Sequence, residues 1–245
     1  MAQLGQIALW VGLSVAIASA ISLIYGLVSK EKNFIVAGHT GVVLVFISSF
    51  ISSLALLVSF LREDLSLLYV ASYSSKDLPL FYKFAAFWAG QQGSLLLWQL
   101  LLSLFTLVLL LAERRGKLLQ WTFSILLFLQ AFFLLLLAIP ADPFKKSPMF
   151  LSDGFGLNPL LQHLQMVFHP PALFVGYAAF AIPFALALSA LITKQPGIVW
   201  VERARSWTLF AWIFLGIGIF LGALWAYEVL GWGGYWGWDP VENAS

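Results

Sequence analysis

Residues 94–112 read SLLLWQLLLSLFTLVLLLA, nineteen residues without one charged side chain. Coiled as an α-helix, which rises about 1.5 Å per residue, such a run matches the roughly 30 Å of hydrocarbon in a bilayer. Backbone amides have no water to bond in that solvent, so a run of this length must close its hydrogen bonds within itself as a helix. Segments of about ten residues with alternating polarity, the mark of a membrane β-barrel, are absent. Working outward, five more apolar runs of similar length appear: Ile7–Val28 and Thr40–Leu61 upstream, Trp121–Ile139, Ala172–Ile192 and Trp207–Leu230 downstream. The sequence therefore predicts an all-α, polytopic transmembrane helix bundle with about six membrane-spanning helices.

Composition agrees. Charged residues make up 10% of the 245-residue chain and hydrophobic residues 61%, where a soluble domain carries about 25% charged residues. The net charge of +2 and its scatter leave no basic stripe for nucleic acid. Cysteine is absent, so thiol chemistry would have to come from a partner. The first apolar run lacks the basic n-region and short apolar core of a secretory signal, and reads as a retained helix.

Charge along the chain sets a topology. The short connections hold Lys30, Lys32, Arg114, Arg115, Lys117, Lys194, Arg203 and Arg205; the long ones hold Arg62, Lys76, Lys83, Lys145 and Lys146. The denser set marks the cytoplasmic side, so the N-terminus, both long loops and everything after Leu230 are expected outside. The loop near 62–93 carries Tyr69, Tyr73, Phe81, Tyr82, Phe84, Phe87 and Trp88, rings suited to lie at the headgroup level of the bilayer. The loop near 140–171 is rich in Pro and Gly, which punctuate turns. Both are expected to be ordered and partly membrane-associated.

The end of the chain differs from everything before it. Gly231-Trp232-Gly233-Gly234-Tyr235-Trp236-Gly237-Trp238-Asp239-Pro240-Val241-Glu242 sets three Trp and one Tyr within seven positions, separated by Gly. One reading is an interfacial aromatic belt. The other is a binding surface: Gly permits close backbone approach, and aromatic faces stack on a large planar π-system. The density of rings and the acidic flank favour the second.

This tail resembles the WWD motif of heme-handling membrane proteins, and its flank is similar to the CcmF family of cytochrome c-type biogenesis heme lyase subunits. Two further stretches carry the resemblance: Tyr82-Lys83 through Trp88-Ala89-Gly90-Gln91-Gln92-Gly93 to Trp98, and Leu157-Asn158-Pro159-Leu160-Leu161-Gln162 through Phe168-His169-Pro170-Pro171 to Gly176-Tyr177. The chain departs from the family pattern at Tyr235 (often Trp), Gly237 (often Phe), Gln91-Gln92 (often His-Glu) and His163 (often Asp). The resemblance implies that residues 1–230 form the bundle and 231–245 a periplasmic Trp-rich segment. It further implies an N-terminal portion of the family, cut within the conserved region.

Within that resemblance, His169 matches an external histidine proposed to ligate heme iron, a role neutral imidazole serves. The expected heme-binding set is His169, Trp232, Tyr235, Trp236, Trp238 and Asp239, with His169 as the metal ligand and no catalytic residue assigned. His169 precedes Pro170-Pro171, which restrain its backbone, just before the expected fifth helix. His163, six residues earlier and off its helical face, reads as structural, and His39 is assigned no function. Asp239, Glu242 and Glu228 are suited to holding Trp and backbone N–H groups in place, while heme propionates would meet Trp N–H groups or outer-loop Lys and Arg.

The implied activity is presentation of heme b, as substrate, on the periplasmic face for thioether attachment to Cys-x-x-Cys-His motifs. The implied partners are a periplasmic heme chaperone, apocytochrome c, other cytochrome c maturation subunits and membrane lipid, with no nucleic acid. A further structural or redox heme b would find its ligands beyond Ser245. The implied location is the bacterial inner membrane. Alternatives are a membrane transporter or scaffold, or another family member such as a nitrite-reductase-specific lyase or CcsA. Gly216, Gly218 and Gly222 suit close helix packing under any of these.

Overall fold

The computed structural model describes residues 1–230. Those residues form eight α-helices: α1 Ala2–Ser29, α2 Lys32–Leu61, α3 Leu68–Tyr73, α4 Leu80–Ala86, α5 Gln91–Ala112, α6 Lys117–Ala138, α7 Leu164–Thr193 and α8 Gly197–Trp225. A single 3₁₀ turn covers Pro159–Leu161 and a π-helical turn, Ala226–Leu230, extends α8. Six of the helices, α1, α2, α5, α6, α7 and α8, are long and apolar enough to cross a membrane.

The helices outrun the apolar runs that announce them. α2 starts at Lys32 rather than Thr40, and α7 at Leu164 rather than Ala172. At about 1.5 Å per residue, the 30-residue α2 and α7 exceed the hydrocarbon thickness. Hydropathy marks only the part that crosses the lipid core, while the hydrogen-bonded coil continues into the interface.

α1 and α2 pack as one antiparallel hairpin, α7 and α8 as another, with α5 and α6 between them. Among the described residues the core is Leu, Ala and Phe, crossed by neutral polar side chains that pair between helices. Gln99 Nε2 donates to Ser49 Oγ at 3.1 Å, Gln130 Nε2 to Thr106 Oγ1 at 3.0 Å, and Thr122 Oγ1 to Ser189 Oγ at 3.0 Å. Trp98 of α5 meets the rings of Phe133 (α6), Phe174 and Tyr177 (α7), with centroids 4.8–5.8 Å apart.

The two long loops knit into one cap. Leu68 N donates to Lys145 O, Ser147 N to Ser66 O, Phe155 N to Ala71 O and Gly156 N to Ser74 O. Asp153 Oδ1 accepts from Lys76 N, and the Tyr82 hydroxyl donates to Gln162 O. The expectation of aromatic rings at the headgroup level fits only part of the first loop. Leu67, Tyr69 and Phe87 are buried inside the cap, whereas Leu80, Phe81 and Phe84 form the exposed face of α4.

The buried part explains one of the quoted motifs. The Tyr69 hydroxyl donates to Phe87 O at 3.0 Å and accepts from Gly90 N at 3.0 Å. A Cβ on Gly93 would collide with the Phe87 carbonyl and with that hydroxyl, so the Trp88–Gly93 turn closes around a tyrosine. Burial pushes the Tyr69 phenol well above its usual value, which keeps it a donor at any physiological pH.

Candidate functional site

The cap end of the α7–α8 hairpin holds His169. Contrary to the expectation from Pro170-Pro171, His169 lies inside α7, six residues into it, and both prolines are helical. The steric bias against a helical residue before proline is overridden by packing on α8. The prolines remove two amide donors, so the carbonyls of Met166 and Val167 lose their intrahelical partners.

The imidazole lies half-buried against the backbone of α8, and His169 Nδ1 is 2.7 Å from Gly218 O. A carbonyl carries no proton, so Nδ1 is the donor, and in the neutral ring the lone pair belongs to Nε2. Metal-binding histidines are commonly oriented in this way, with the second nitrogen bonded to a carbonyl that fixes tautomer and ring plane. The sequence makes room for it one turn further along α8. An ideal Cβ on Gly222 would sit 2.5 Å from His169 Cε1 and 2.8 Å from Nδ1. Gly218 likewise faces Leu173 of α7, but Gly216 meets nothing within 4 Å, so only two of the three glycines expected to allow close packing do so.

A second set of contacts ties the loop before α7 to the end of α8. Trp225 Nε1 donates to Leu160 O at 3.1 Å, and Gln165 Nε2 donates to Glu228 Oε2 at 2.9 Å. His163 Nε2 lies 3.3 Å from the same carboxylate oxygen. Glu228, expected to steady Trp and backbone N–H groups, is therefore engaged among the described residues by Gln165 and His163. His163 precedes the first residue of α7. Asn158 Oδ1 caps the 3₁₀ turn by accepting from Leu160 N, which explains the Asn-Pro at its start.

His39 lies apart, at the other end of the bundle. It sits inside α2, and its Nε2 is 2.7 Å from Gln120 Oε1 of α6. Trp232, Tyr235, Trp236, Trp238 and Asp239, with Glu242, lie outside the described residues. They follow directly in sequence from the turn that carries Glu228. Sequence reasoning missed Trp225 and Gln165. Each falls in or beside an apolar run where a helix face cannot be assigned from composition, and their partners are far away in sequence.

Among the described residues no three His, Asp or Glu side chains converge as they would on a bare metal ion. A porphyrin supplies four equatorial ligands to its own iron, so a single oriented imidazole suits heme iron.

Residues 88–245 match the family described as Cytochrome C assembly protein. The chain is 46% identical over 190 residues to the cytochrome c-type biogenesis protein CcmF of Pseudomonas aeruginosa, covering 76% of this chain and 29% of that protein. It is 38% identical over 248 residues to CcmF of Escherichia coli (strain K12), covering 100% of this chain and 38% of that protein. A solved structure of cytochrome c heme lyase CcmF matches with a TM-score of 0.87 and 32% identity, over 99% of this chain and 39% of that one. The chain thus spans well under half the length of these relatives.

Proposed function

The chain belongs to the cytochrome C assembly protein family, is a multi-pass membrane protein, and we propose that it forms part of the heme lyase of cytochrome c maturation. In this reading the cap end faces the periplasm of a bacterial inner membrane. Heme is held there as substrate by His169 and the Trp-rich segment, with Trp232, Tyr235, Trp236 and Trp238 stacking on it and Asp239 steadying their N–H groups. The observation that carries the reading is the His169 imidazole, oriented by Gly218 O at 2.7 Å in a niche opened by Gly222.

The chain's contribution to the chemistry is positioning. Thioether formation joins a cysteine sulfur to a heme vinyl group, and this chain has no cysteine. The thiols belong to the apocytochrome, and the heme is delivered by a periplasmic chaperone alongside other maturation subunits. An iron held by one fixed imidazole presents the vinyl edge in a restricted orientation, and restricting approach geometry lowers the barrier to a reaction between two bound partners. The ties from Glu228 to Gln165 and His163 hold the end of α8 beside the start of α7, the helix that carries His169.

The test is a heme-binding spectrum of the purified protein in detergent, wild type beside His169→Ala. The expected result is a shifted Soret band in the wild type that is lost or strongly weakened in the variant. An identical spectrum and an unchanged yield of cytochrome c would overturn the assignment of His169.

A further inference from the structure

At the end of the bundle opposite the cap, α2 and α5 diverge around a groove of about 660 Å³. Three cations stand at its mouth: Lys32, the first residue of α2, and Arg114 and Arg115, which follow α5. No carboxylate lines it. Deeper along the same two helices the lining turns mostly apolar, through the exposed Val36, Val43 and Leu111, with Thr40 and His39, whose Nε2 is engaged by Gln120, as its neutral polar members. We propose that this groove is a binding site for an anionic phospholipid, the cations holding the headgroup phosphate and the apolar trough one acyl chain.

Charge complementarity carries the argument. Among the described residues, none of the three cations forms an ion pair. Two carboxylates are adjacent in sequence: Glu113 is turned away to Arg203 of α8, with Oε1 2.7 Å from Nη2, and Glu31, beside Lys32, does not line the groove. The loop is also fixed in place: Gln120 Nε2 donates to Arg114 O at 2.8 Å while Gln120 Oε1 holds His39. Two arginines thus project from an anchored backbone, which lowers the ordering cost of engaging a ligand. Basic pockets between transmembrane helices are a recognised form of anionic-lipid site.

The polarity gradient selects the occupant. Cations at the level where α2 begins and α5 ends, followed inward by about two helical turns of mainly aliphatic surface, match the head-to-tail polarity of a lipid. A free phosphate would use the first feature and leave the second unexplained. The site is independent of the heme reading, since it shares no residue with the His169 corner.

The test is native mass spectrometry of the protein in detergent doped with phosphatidylglycerol or phosphatidylcholine of identical chains. Retention of phosphatidylglycerol is expected to exceed that of phosphatidylcholine by about tenfold, the scale expected when arginines meet an anionic headgroup. Arg114→Gln with Arg115→Gln should abolish the preference. Val43→Trp, which leaves every cation in place but fills the trough, should lower retention of both lipids, and circular dichroism confirms that each variant keeps its helices. Equal retention of the two lipids, or a preference unchanged in the double variant, overturns the site. Displacement by excess inorganic phosphate, or a Val43→Trp protein that retains lipid as before, would make it an anion site and overturn the lipid assignment.

Discussion

A histidine becomes a useful ligand when its neighbours decide which nitrogen carries the proton. At His169 that decision belongs to Gly218 O, and the space to make the contact belongs to Gly222. Gly222→Ala adds a methyl group where the imidazole now lies, so the ring must rotate away and lose its carbonyl. Heme affinity is expected to fall by about tenfold or more, the usual scale when an orienting contact of a metal-bound histidine is lost. Gly216→Ala, earlier on α8 with nothing near its Cβ, is the control and should bind heme as the wild type does. Equal affinities for the two variants in a Soret titration would mean that the niche does not position the ligand. The residue types were legible in the sequence, since His169 and the glycines stand out. Their pairing was not, because 49 residues separate His169 from Gly218 and no periodicity links two helices to each other.

Among the elements, the loop that follows α6 is tied to α1 by the Asp142 carboxylate. Asp142 Oδ2 accepts from Gln6 Nε2 of α1 at 3.0 Å and Oδ1 from Phe144 N at 2.8 Å. Burial raises its pKa above the ordinary 3.8, against the opposing pull of those hydrogen bonds and of Lys145. A carboxyl whose folded pKa is raised favours the fold most below 3.8, and that contribution fades as pH rises through the folded value. Asp142→Asn cannot ionise, so its loop should gain on the wild type as pH rises. Hydrogen exchange of residues 140–150 in the two proteins, compared pairwise at pH 3.5 and pH 7, reads this directly. The expected change is relatively greater protection of the variant at pH 7; a constant ratio between the two proteins would rule out the effect. The start of α7 teaches a related lesson. Pro170-Pro171 reads locally as a boundary, yet the helix begins six residues before it, because the packing of α7 on α8 outweighs a local steric bias.

For the whole molecule, the loops near 62–93 and 140–163 form one cap, and the cations Lys32, Arg114 and Arg115 occupy the opposite end. The proposed orientation sets the cap in the periplasm. With no native cysteine in the chain, Asp77→Cys and Glu31→Cys provide clean reporters of the two ends. A membrane-impermeant maleimide added to intact spheroplasts should label the first and spare the second. The reverse pattern would invert the topology and remove the periplasmic heme site. Between the two ends, polar pairs such as Gln99–Ser49 and Gln130–Thr106 hold the helices together. Such pairs contribute about 0.6 kcal/mol each in a membrane, so register rests on several of them together with the Trp98 ring cluster.

By itself the sequence determined the number of spans, their order and that the two long loops share one end of the bundle. These follow from one-dimensional quantities: the length of apolar runs against bilayer thickness, and the number of spans between one connection and the next. It also marked His169 and the Trp-rich segment as exceptional, through residue types that a lipid-facing helix does not need. Tertiary structure alone decided that Tyr69 turns inward to close the Trp88–Gly93 turn, that Glu228 meets His163 and Gln165, and that His169 rests on Gly218. In helices this uniformly apolar, every face is compatible with lipid, so hydropathy carries no signal for which face meets a neighbour. That choice is made by close packing and by a few buried hydrogen bonds, and both depend on residues distant in the chain.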